Sequence, residues 1–434
     1  MSKIKQFDLD HAFRCRPGEG CNCNIVATDA VLGRSEAWWK ENCSFGEKMK
    51  KRKWYSLVDK IWKFSNLEAA FSKVKENGGA AGIDRVSIGQ FERQKQQNLL
   101  EIQRLLRSKR YEAIPVRRVE IPKSDGKYRP LGIPTVRDRV VQQATFAVMS
   151  PIFETKFLDC SYGFRKGRNT HQAITKTEQY RNEGCEWVVE ADIESFFDTV
   201  DHELLIDKVA EEISDGSVLK LIRSWLTAGA FKGTEVIETS VGTPQGGVIS
   251  PLLANIYLHP FDVQMTALGF KLVRYADDFV IMCRSEDEAE RAMEAATRIL
   301  SGIKLRVKAA KTRIVQLNKE NGIEFLGFTI FKEHKVPRTR AVENFKSTVR
   351  MITRRQRPAT LQEIIRELNP VVRGWGNYFK IANVNWLYKG LDSWMRMRLR
   401  SFLEKKKSYE ANKRLENKHF SEAGLTTLSS LIGY

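Results

Sequence analysis

The residue types most suggestive of chemistry are two adjacent acids, Asp277 and Asp278, in the segment Tyr275-Ala276-Asp277-Asp278. Apolar runs precede and follow this segment, so the sequence predicts two strands joined by a tight turn. Adjacent carboxylates repel each other unless a cation lies between them or one of them is protonated. Carboxylates are the preferred protein ligands of Mg²⁺, and a pair of such ions is typical of nucleotidyl transfer. A lone acidic pair is more often a solvated surface turn than a metal site. If this pair does bind metal, a third carboxylate is expected elsewhere in the chain.

The third carboxylate is predicted at Asp192. This residue ends a short apolar run that begins at Trp187, as expected of a strand that delivers an acid to a site. Three other acids, Glu190, Glu194 and Asp198, lie close by in the sequence, and spacing alone does not exclude them.

A cationic hairpin is predicted from the alternating residues 116–123, a turn at 124–127 and a returning strand over 128–134. Lys123 and Arg129 would then lie near each other across the hairpin. A planar guanidinium and an ammonium are suited to a triphosphate. The alternative, which is the more common one for two cations on a hairpin, is that both face solvent.

The overall charge favours a polyanionic partner. The 434 residues include 72 Lys+Arg and 53 Asp+Glu, which gives a net charge of +19 and a pI near 9.6. Nucleic acid is the default partner of such a chain, because each neutralised phosphate releases counterions. No apolar run has the length that a bilayer requires, so no membrane partner is expected.

The cysteines and the first residues favour a cytoplasmic protein. Seven cysteines, an odd number, fit a reducing compartment better than a disulfide framework, and residues 1–10 lack the apolar region of a secretion signal. Residues 1–55 are interpreted as an N-terminal extension of unknown role. Its spacing, Cys-x5-Cys-x-Cys, differs from the usual zinc pattern, so a metal site and free thiols both remain open. The candidate ligands are His11, Cys15, Cys21, Cys23 and Cys43.

The fold class predicted from the order of strands and helices is α+β, with an antiparallel sheet packed on helices. Helical spacing appears over 67–74, 138–150 and 286–300, and a strand-turn-strand pattern over 323–328. A chain of this length exceeds a single core, so two or three subdomains are expected.

From about residue 340 the chain is helical and more basic. A capping box is predicted at Thr360 and Glu363. Five aromatic residues could form core or stack on bases, with core the more common role. They are Trp375, Tyr378, Phe379, Trp386 and Trp394.

Taken in order, the motifs closely resemble those of the bacterial group II intron reverse transcriptases. The motifs are Ile121-Pro122-Lys123 with Arg129-Pro130-Leu131-Gly132-Ile133-Pro134, Ser161-Tyr162-Gly163-Phe164-Arg165, Asp192 with Phe196-Phe197, Gly242-Thr243-Pro244-Gln245-Gly246, Tyr275-Ala276-Asp277-Asp278, Lys311-Thr312, and Phe325-Leu326-Gly327-Phe328. Residues 78–84 look like the extra N-terminal fingers motif of that family, and residues 373–379 look like its thumb, or maturase, signature. The resemblance covers roughly residues 60–430.

The resemblance implies a right-hand polymerase fold. Its expected divisions are fingers over 56–185, a palm over 186–335, a helical thumb or maturase domain over 336–400, and a short basic C-terminal segment over 401–434. That short segment resembles the subset of the family that lacks an endonuclease domain.

The resemblance also implies roles for individual residues. Asp192, Asp277 and Asp278 would hold two Mg²⁺ ions, for which Mn²⁺ could substitute, with help from the Ile193 carbonyl. Lys123 and Arg129 would grip the triphosphate, Phe197 would obstruct a ribose 2′-hydroxyl, and Gln245 would contact the nucleotide near the primer end. Eight cations are expected to contact RNA: Arg165, Lys166, Arg168, Lys311, Arg350, Arg354, Arg355 and Arg373.

The function implied is that of an RNA-directed DNA polymerase that binds its group II intron RNA, assists splicing and copies RNA into DNA by target-primed reverse transcription. Its partners would be intron RNA, an RNA template with a DNA primer, target DNA and deoxynucleoside triphosphates. Two alternatives remain open: a domesticated reverse transcriptase in phage defence, CRISPR spacer acquisition or DNA repair, and a non-catalytic RNA-binding splicing factor. The sequence does not indicate an oligomeric state. The expected location is the cytoplasm, at the nucleoid when the protein acts on DNA.

Overall fold

The structure is a computed structural model that describes residues 53–122, 128–232, 235–237, 242, 246–405 and 415–432. For residues 129, 232, 235–237 and 311 only the backbone is described. The described residues belong to one compact unit, Arg52–Tyr434. The N-terminal candidate ligands, from His11 to Cys43, lie outside the described residues, as do Lys123 and Gln245.

Fifteen α-helices are present in the described part of the chain. They are α1 (Val58–Trp62), α2 (Phe64–Asn77), α3 (Ile88–Arg93), α4 (Lys95–Arg107), α5 (Val136–Glu154), α6 (Thr170–Asn182), α7 (Phe196–Thr199), α8 (His202–Ala210), α9 (Gly216–Thr227), α10 (Ser250–Ala267), α11 (Glu286–Gly302), α12 (Thr339–Ile352), α13 (Leu361–Phe379), α14 (Asn385–Leu403) and α15 (Asn417–Glu422). The described residues also contain two 3₁₀ turns, Ala309–Lys311 and Ser429–Ile432.

Three sheets contain the eleven strands of the described residues. The strands are β1 (Val116–Pro122), β2 (Tyr128–Ile133), β3 (Trp187–Asp192), β4 (Ala230–Lys232), β5 (Glu235–Ile237), β6 (Lys271–Tyr275), β7 (Asp278–Cys283), β8 (Arg313–Gln316), β9 (Ile323–Phe325), β10 (Phe328–Ile330) and β11 (Lys335–Pro337). Their orders are β2-β1-β4-β5, β6-β7-β3-β8 and β11-β10-β9. The predicted α+β class is confirmed.

The central sheet, β6-β7-β3-β8, is antiparallel throughout and is covered on both faces. One face, which includes Val189, Phe279 and Ile281, packs on α10 and α11 in the largest hydrophobic core. The opposite face, which includes Val188 and Val280, packs on α6 and on β9 and β10. The period-two alternation of a strand explains why neighbouring residues enter different cores.

The second sheet contains the predicted hairpin. Strands β1 and β2 are antiparallel, with Ile121 opposite Arg129 and Pro122 opposite Tyr128. The hairpin is therefore confirmed, although its turn lies outside the described residues. Strand β4 adds in parallel to β1 and joins the hairpin to the C-terminal end of α9.

The C-terminal helices form a separate hydrophobic core. Helix α13 starts at the predicted capping box, in which Thr360 and Glu363 exchange both bonds. Phe420 and Leu428 are fully buried in this core, and the Asp392 carboxylate accepts bonds from the amides of Leu428 and Ser429. Residues 415–432 therefore belong to the thumb core, which differs from the predicted boundary at residue 400. Among the described residues, no helix is both long and apolar enough to cross a membrane.

Candidate active site

Two of the predicted acids lie directly opposite each other at one end of the central sheet. Asp192 is the last residue of β3, Asp278 is the first residue of β7, and the two are partners in the strand register. Directly opposed residues in an antiparallel pair point to one face and carry Cβ atoms about 4.5–5.5 Å apart. Both side chains are half-buried. The register therefore brings together carboxylates that are 86 positions apart in the sequence.

The third acid, Asp277, lies in the turn between β6 and β7. Tyr275 pairs with Asp278, so the turn has two residues, and Ala276 at its first position has a φ of 59°. A positive φ at that position is a strained conformation for alanine, and such strain is often found at functional sites. The Asp277 carbonyl accepts a bond of 3.4 Å from the Ile193 amide, which links the turn to the residue after Asp192.

The register also separates Asp192 from its competitors. Glu190 points to the same face of β3 but pairs with Arg313, at 2.8 Å. Burial raises the pKa of Glu190, and the hydrogen bond from Arg313 opposes that effect. Glu194 and Asp198 follow the strand and are exposed. Asp192 is therefore the acid of this segment that lies opposite Asp278.

The donor set is chemically suited to a divalent cation, since carboxylate and carbonyl oxygens are the ligands that Mg²⁺ prefers. Within the residues that the structure describes, no three His, Cys, Asp or Glu side chains lie close enough together to hold a metal ion. The backbone positions of Asp192, Asp277 and Asp278 fit a shared site, but their side chains would have to reorient to ligate the same ion.

A buried arginine holds the acidic turn from behind. Arg274 on β6 is 0% exposed and uses all five of its N–H donors. It donates to both carboxylate oxygens of Asp262, at 2.6 and 2.5 Å, and to Asn255, Ser161 and the Ala276 carbonyl, the last at 2.9 Å. Burial lowers the pKa of Arg274, but the adjacent Asp262 carboxylate more than offsets this, and the net pKa is raised. The strained turn is thus tied to helix α10 through a satisfied ion pair.

The segment Ser161-Tyr162-Gly163-Phe164-Arg165 packs against the same turn. A Cβ built on Gly163 would lie 2.4 Å from the Ala276 amide nitrogen, so only glycine permits this approach. The Gly163 carbonyl accepts a bond of 2.8 Å from Asn255, which also bonds to Arg274.

Arg165 has an internal role, in contrast to the predicted RNA contact. Its five N–H donors bond to Glu154 and to the carbonyls of Phe157, Leu158 and Ser161, and its side chain is buried. No donor remains for a phosphate. The prediction that Arg165 contacts RNA is therefore wrong, because the guanidinium closes the loop on the end of α5.

Two glycines of the predicted nucleotide-binding motif 242–246 pack closely on other predicted segments of the site. The Gly242 amide donates a hydrogen bond to the Val200 carbonyl, and the Gly242 carbonyl accepts one of 2.6 Å from His202 Nε2. A Cβ built on Gly242 would lie 2.9 Å from the Phe197 carbonyl oxygen. Gly246, with a φ of 114°, lies so close to strand β2 that a Cβ would be 2.4 Å from the Gly132 carbonyl oxygen. Gly242 therefore lies against the half-buried Phe197, and Gly246 lies against β2, which carries Arg129.

The glycine-rich loop 78–84 is also held internally. Arg139 on α5 donates to the carbonyls of Gly78 and Ala80, at 3.2 and 2.8 Å. A Cβ on Gly82 would lie 2.7 Å from Thr135 Cα. The loop therefore packs on the start of α5, where the Thr135 side chain caps the helix by accepting a hydrogen bond from the Asp138 amide.

The remaining predicted RNA contacts are distributed over two regions. Lys166 is exposed, whereas Arg168 pairs with Asp159 and stacks on Tyr162. Lys311 ends a 3₁₀ turn, and its side chain is not described. In the thumb, Arg350, Arg354 and Arg373 are exposed and Arg355 is half-buried. Arg373 also donates to Thr426.

Two thumb cations that the sequence pattern did not single out, Lys346 and Arg398, lie close to residues that it did. The ring of Trp394 lies beneath Lys346 and Arg350, at 5.9 and 5.6 Å from its centroid. Burial lowers the pKa of Arg398, and the nearby Arg355 and Arg350 lower it further, which indicates a cluster of like charges. We call Lys346, Arg350, Arg354, Arg355, Trp394 and Arg398 the thumb cationic surface.

The other thumb aromatics differ in exposure. The rings of Trp375 and Phe379 contact each other at an angle of 46°, with centroids 4.7 Å apart, and the ring of Phe328 stacks on that of Tyr378, with centroids 5.7 Å apart. These rings form core between the thumb and β10. Trp386, by contrast, is 70% exposed.

The antiparallel sheet with acids at one end, followed by a helical core, agrees with the right-hand polymerase fold that the sequence resemblance implies. Residues 121–330 match the family described as "Reverse transcriptase (RNA-dependent DNA polymerase)", and residues 342–420 match "Group II intron, maturase-specific domain". The chain belongs to the group II intron-encoded reverse transcriptases, a family of RNA-directed DNA polymerases that carry a maturase domain.

Individual relatives support this assignment. "Protein YkfC" of Escherichia coli is 36% identical over 307 residues, which cover 61% of this chain and 80% of that protein. "Group II intron-encoded protein LtrA" of Lactococcus lactis is 38% identical over 208 residues, which cover 47% of this chain but only 34% of LtrA. Among solved structures, a chain of the "Partial Cas6-RT-Cas1--Cas2 complex" is 30% identical over a region that covers 57% of this chain and 41% of that chain, with a TM-score of 0.37.

Proposed function

We propose that Asp192, Asp277 and Asp278 are the catalytic carboxylates with which this chain copies RNA into DNA. The observation that carries the proposal is the strand register, which puts Asp192 opposite Asp278 and joins Ile193 to the Asp277 carbonyl. One acid from the turn and one from each of the neighbouring strands β7 and β3 would surround the point where a primer 3′-hydroxyl meets an α-phosphate.

The three aspartates, with the Ile193 carbonyl, would hold two Mg²⁺ ions, and Mn²⁺ would be accepted in their place. When bound, such ions lower the pKa of the primer 3′-hydroxyl and neutralise the pyrophosphate that leaves. The tie between Arg274 and the Ala276 carbonyl would keep the turn in position as the carboxylates reorient toward the metal. A turn held in position before the reaction needs no costly rearrangement when charge develops in the transition state.

The incoming deoxynucleotide would lie between β2 and α7. Lys123 and Arg129 would bind its triphosphate, Gln245 would contact it near the primer end, and Phe197 would lie beneath its sugar. The close approach of Gly246 to β2 and of Gly242 to Phe197 supports this location. An aromatic ring beneath the sugar rejects a 2′-hydroxyl by its bulk and by offering it no hydrogen-bond partner.

The thumb would bind group II intron RNA. The thumb cationic surface combines guanidinium groups with one indole ring, which suits phosphate contact and base stacking. Lys166, Arg168, Lys311 and Arg373 would add further phosphate contacts. We divide the chain into fingers over 56–185, a palm over 186–335 and a thumb that includes residues 415–432, since these share the thumb core.

In this proposal the RNA-bound protein assists intron folding and then uses a nick in target DNA as primer for copying the RNA. That reaction requires target DNA and deoxynucleoside triphosphates, and it would place the protein in the cytoplasm at the nucleoid during insertion.

Primer extension on an RNA template tests the enzymatic part of the proposal. Purified protein should extend a DNA primer with Mg²⁺ and deoxynucleotides, and the variant Asp277→Ala/Asp278→Ala should give no product. A matched control is Asp287→Ala/Glu288→Ala, which removes two adjacent acids from the first turn of α11. If the wild type and Asp277→Ala/Asp278→Ala give the same absent product, the reverse transcriptase proposal fails.

A further inference from the structure

Phe164 is an exposed aromatic residue that its neighbours hold in an unfavourable backbone conformation. Its φ is 59°, in the left-handed region that aromatic residues rarely adopt. Its side chain is nevertheless 51% exposed, so the conformation is not explained by burial of the ring in the core. The ring lies 6.3 Å from that of Tyr275, the last residue of β6 before the acidic turn, with an interplanar angle of 47°.

The residues on both sides of Phe164 fix its position. On one side, the Tyr162 amide donates a hydrogen bond of 2.9 Å to the Arg274 carbonyl, and Gly163 packs on Ala276. On the other side, Arg165 is anchored by all five of its N–H donors. The backbone at Phe164 therefore cannot relax without breaking contacts that also hold the acidic turn. The backbone from which the ring projects is therefore fixed relative to the acidic turn.

The ring has the chemistry of a nucleic-acid contact. Aromatic side chains bind bases and sugars of single strands or strand ends without sequence preference, which suits a polymerase that must accept any sequence. The exposed Lys166 follows two residues later and could meet the phosphates of the same strand. Phe197, which is assigned to the nucleotide sugar, lies on α7 and is a different ring from the one that Phe164 presents beside the turn.

We propose that Phe164 contacts the DNA primer strand next to its 3′ end and thereby positions the 3′-hydroxyl at Asp277 and Asp278. This inference rests on the proposed polymerase function. It assigns Phe164 to the primer rather than to the incoming nucleotide. The strained conformation is then retained because it presents the ring beside the turn.

The substitution Phe164→Asn separates a binding role from a structural one. Asparagine tolerates the left-handed conformation, so the variant should melt at the wild-type temperature or above it. It should raise the KM for primer–template at least about fivefold, the effect of losing one stacking contact, and leave the KM for deoxynucleotides within about twofold. Phe164→Trp should retain primer–template affinity close to that of the wild type.

Two controls keep the outcomes distinct. Tyr55→Asn removes another exposed aromatic, ahead of α1, and should leave both KM values unchanged. Binding of a labelled primer–template, measured by fluorescence anisotropy in the Asp277→Ala/Asp278→Ala background, requires no chemistry and should weaken by a similar factor when Phe164→Asn is added. If wild-type protein extends no primer but Phe164→Asn weakens binding, the polymerase proposal fails and the contact stands. If Phe164→Asn leaves the KM and the affinity for primer–template unchanged, or melts well below the wild type, the inference is overturned.

Discussion

Replacing Gly163 with alanine tests whether the acidic turn depends on close packing from behind. A Cβ at residue 163 would lie 2.4 Å from the Ala276 amide nitrogen and 3.0 Å from the Tyr275 carbonyl carbon, whereas real Cβ atoms essentially never come within 3.0 Å of such atoms. The two segments must therefore separate by at least about 0.6 Å. Both are fixed, since Asn255 holds the Gly163 carbonyl and Arg274 holds the Ala276 carbonyl.

The expected cost falls on both activity and stability. A misplacement of about 1 Å at a catalytic site can cost about 100-fold in rate, so a shift of this size should lower the rate of primer extension about 10- to 100-fold. Overpacking of a fixed contact typically costs about 1–3 kcal/mol of unfolding free energy. Single-turnover primer extension and urea denaturation measure the two effects on the same protein.

Gly390→Ala is the matched control for this substitution. Gly390 lies within α14, has no atom within 4 Å of a built Cβ and has an ordinary φ. Alanine there should leave primer extension unchanged and stabilise the helix by about 0.5–1 kcal/mol. If Gly163→Ala retains wild-type primer extension and stability, the reasoning about the turn is refuted.

Three further predictions concern the ion pair, the sugar and the RNA. Arg274→Met leaves Asp262 buried without its partner and should lower the free energy of unfolding by about 3–5 kcal/mol in urea denaturation, and a loss below about 1 kcal/mol would contradict the network. Phe197→Ala should raise incorporation of ribonucleotides relative to deoxynucleotides in primer extension, whereas unchanged discrimination would reassign that ring. Arg350→Gln and Arg355→Gln should each lower the slope of log affinity against log salt for RNA by about 1, and an unchanged slope would remove them from the RNA surface.

Local patterns predicted much of the frame. The apolar runs around the acidic pair became β6 and β7, and the alternating residues from 116 to 133 became the β1-β2 hairpin. These features depend on period-two alternation and turn chemistry within a short stretch, which a single sequence displays directly.

Long-range register and burial could not be predicted in the same way. Glu190 and Asp192 share one face of β3, and only the pairing with β7 and β8 puts Asp192 opposite Asp278 and Glu190 opposite Arg313. Arg165 was predicted to be an exposed cation because its sequence motif does not show its partners. These partners belong to α5 and to the loop that follows α5.

The thumb shows a similar limit. Residues 415–432 contain short apolar stretches without a long helical period, yet they complete the core of α13 and α14. Leu431 packs on Gly376 so closely that a Cβ built on Gly376 would lie 2.4 Å from the leucine Cδ1. Neither segment, taken alone, predicts this contact. The predicted boundary at residue 400 therefore fell inside one core.

The central claim is that Asp192, rather than its acidic neighbours, completes the site formed by Asp277 and Asp278. Primer extension by Asp192→Asn, compared with Glu194→Gln and Asp198→Asn, tests this claim most directly. We expect Asp192→Asn to give no extended product while the other two variants extend at the wild-type rate. Wild-type extension by Asp192→Asn, or loss of extension in Glu194→Gln or Asp198→Asn alone, would contradict it.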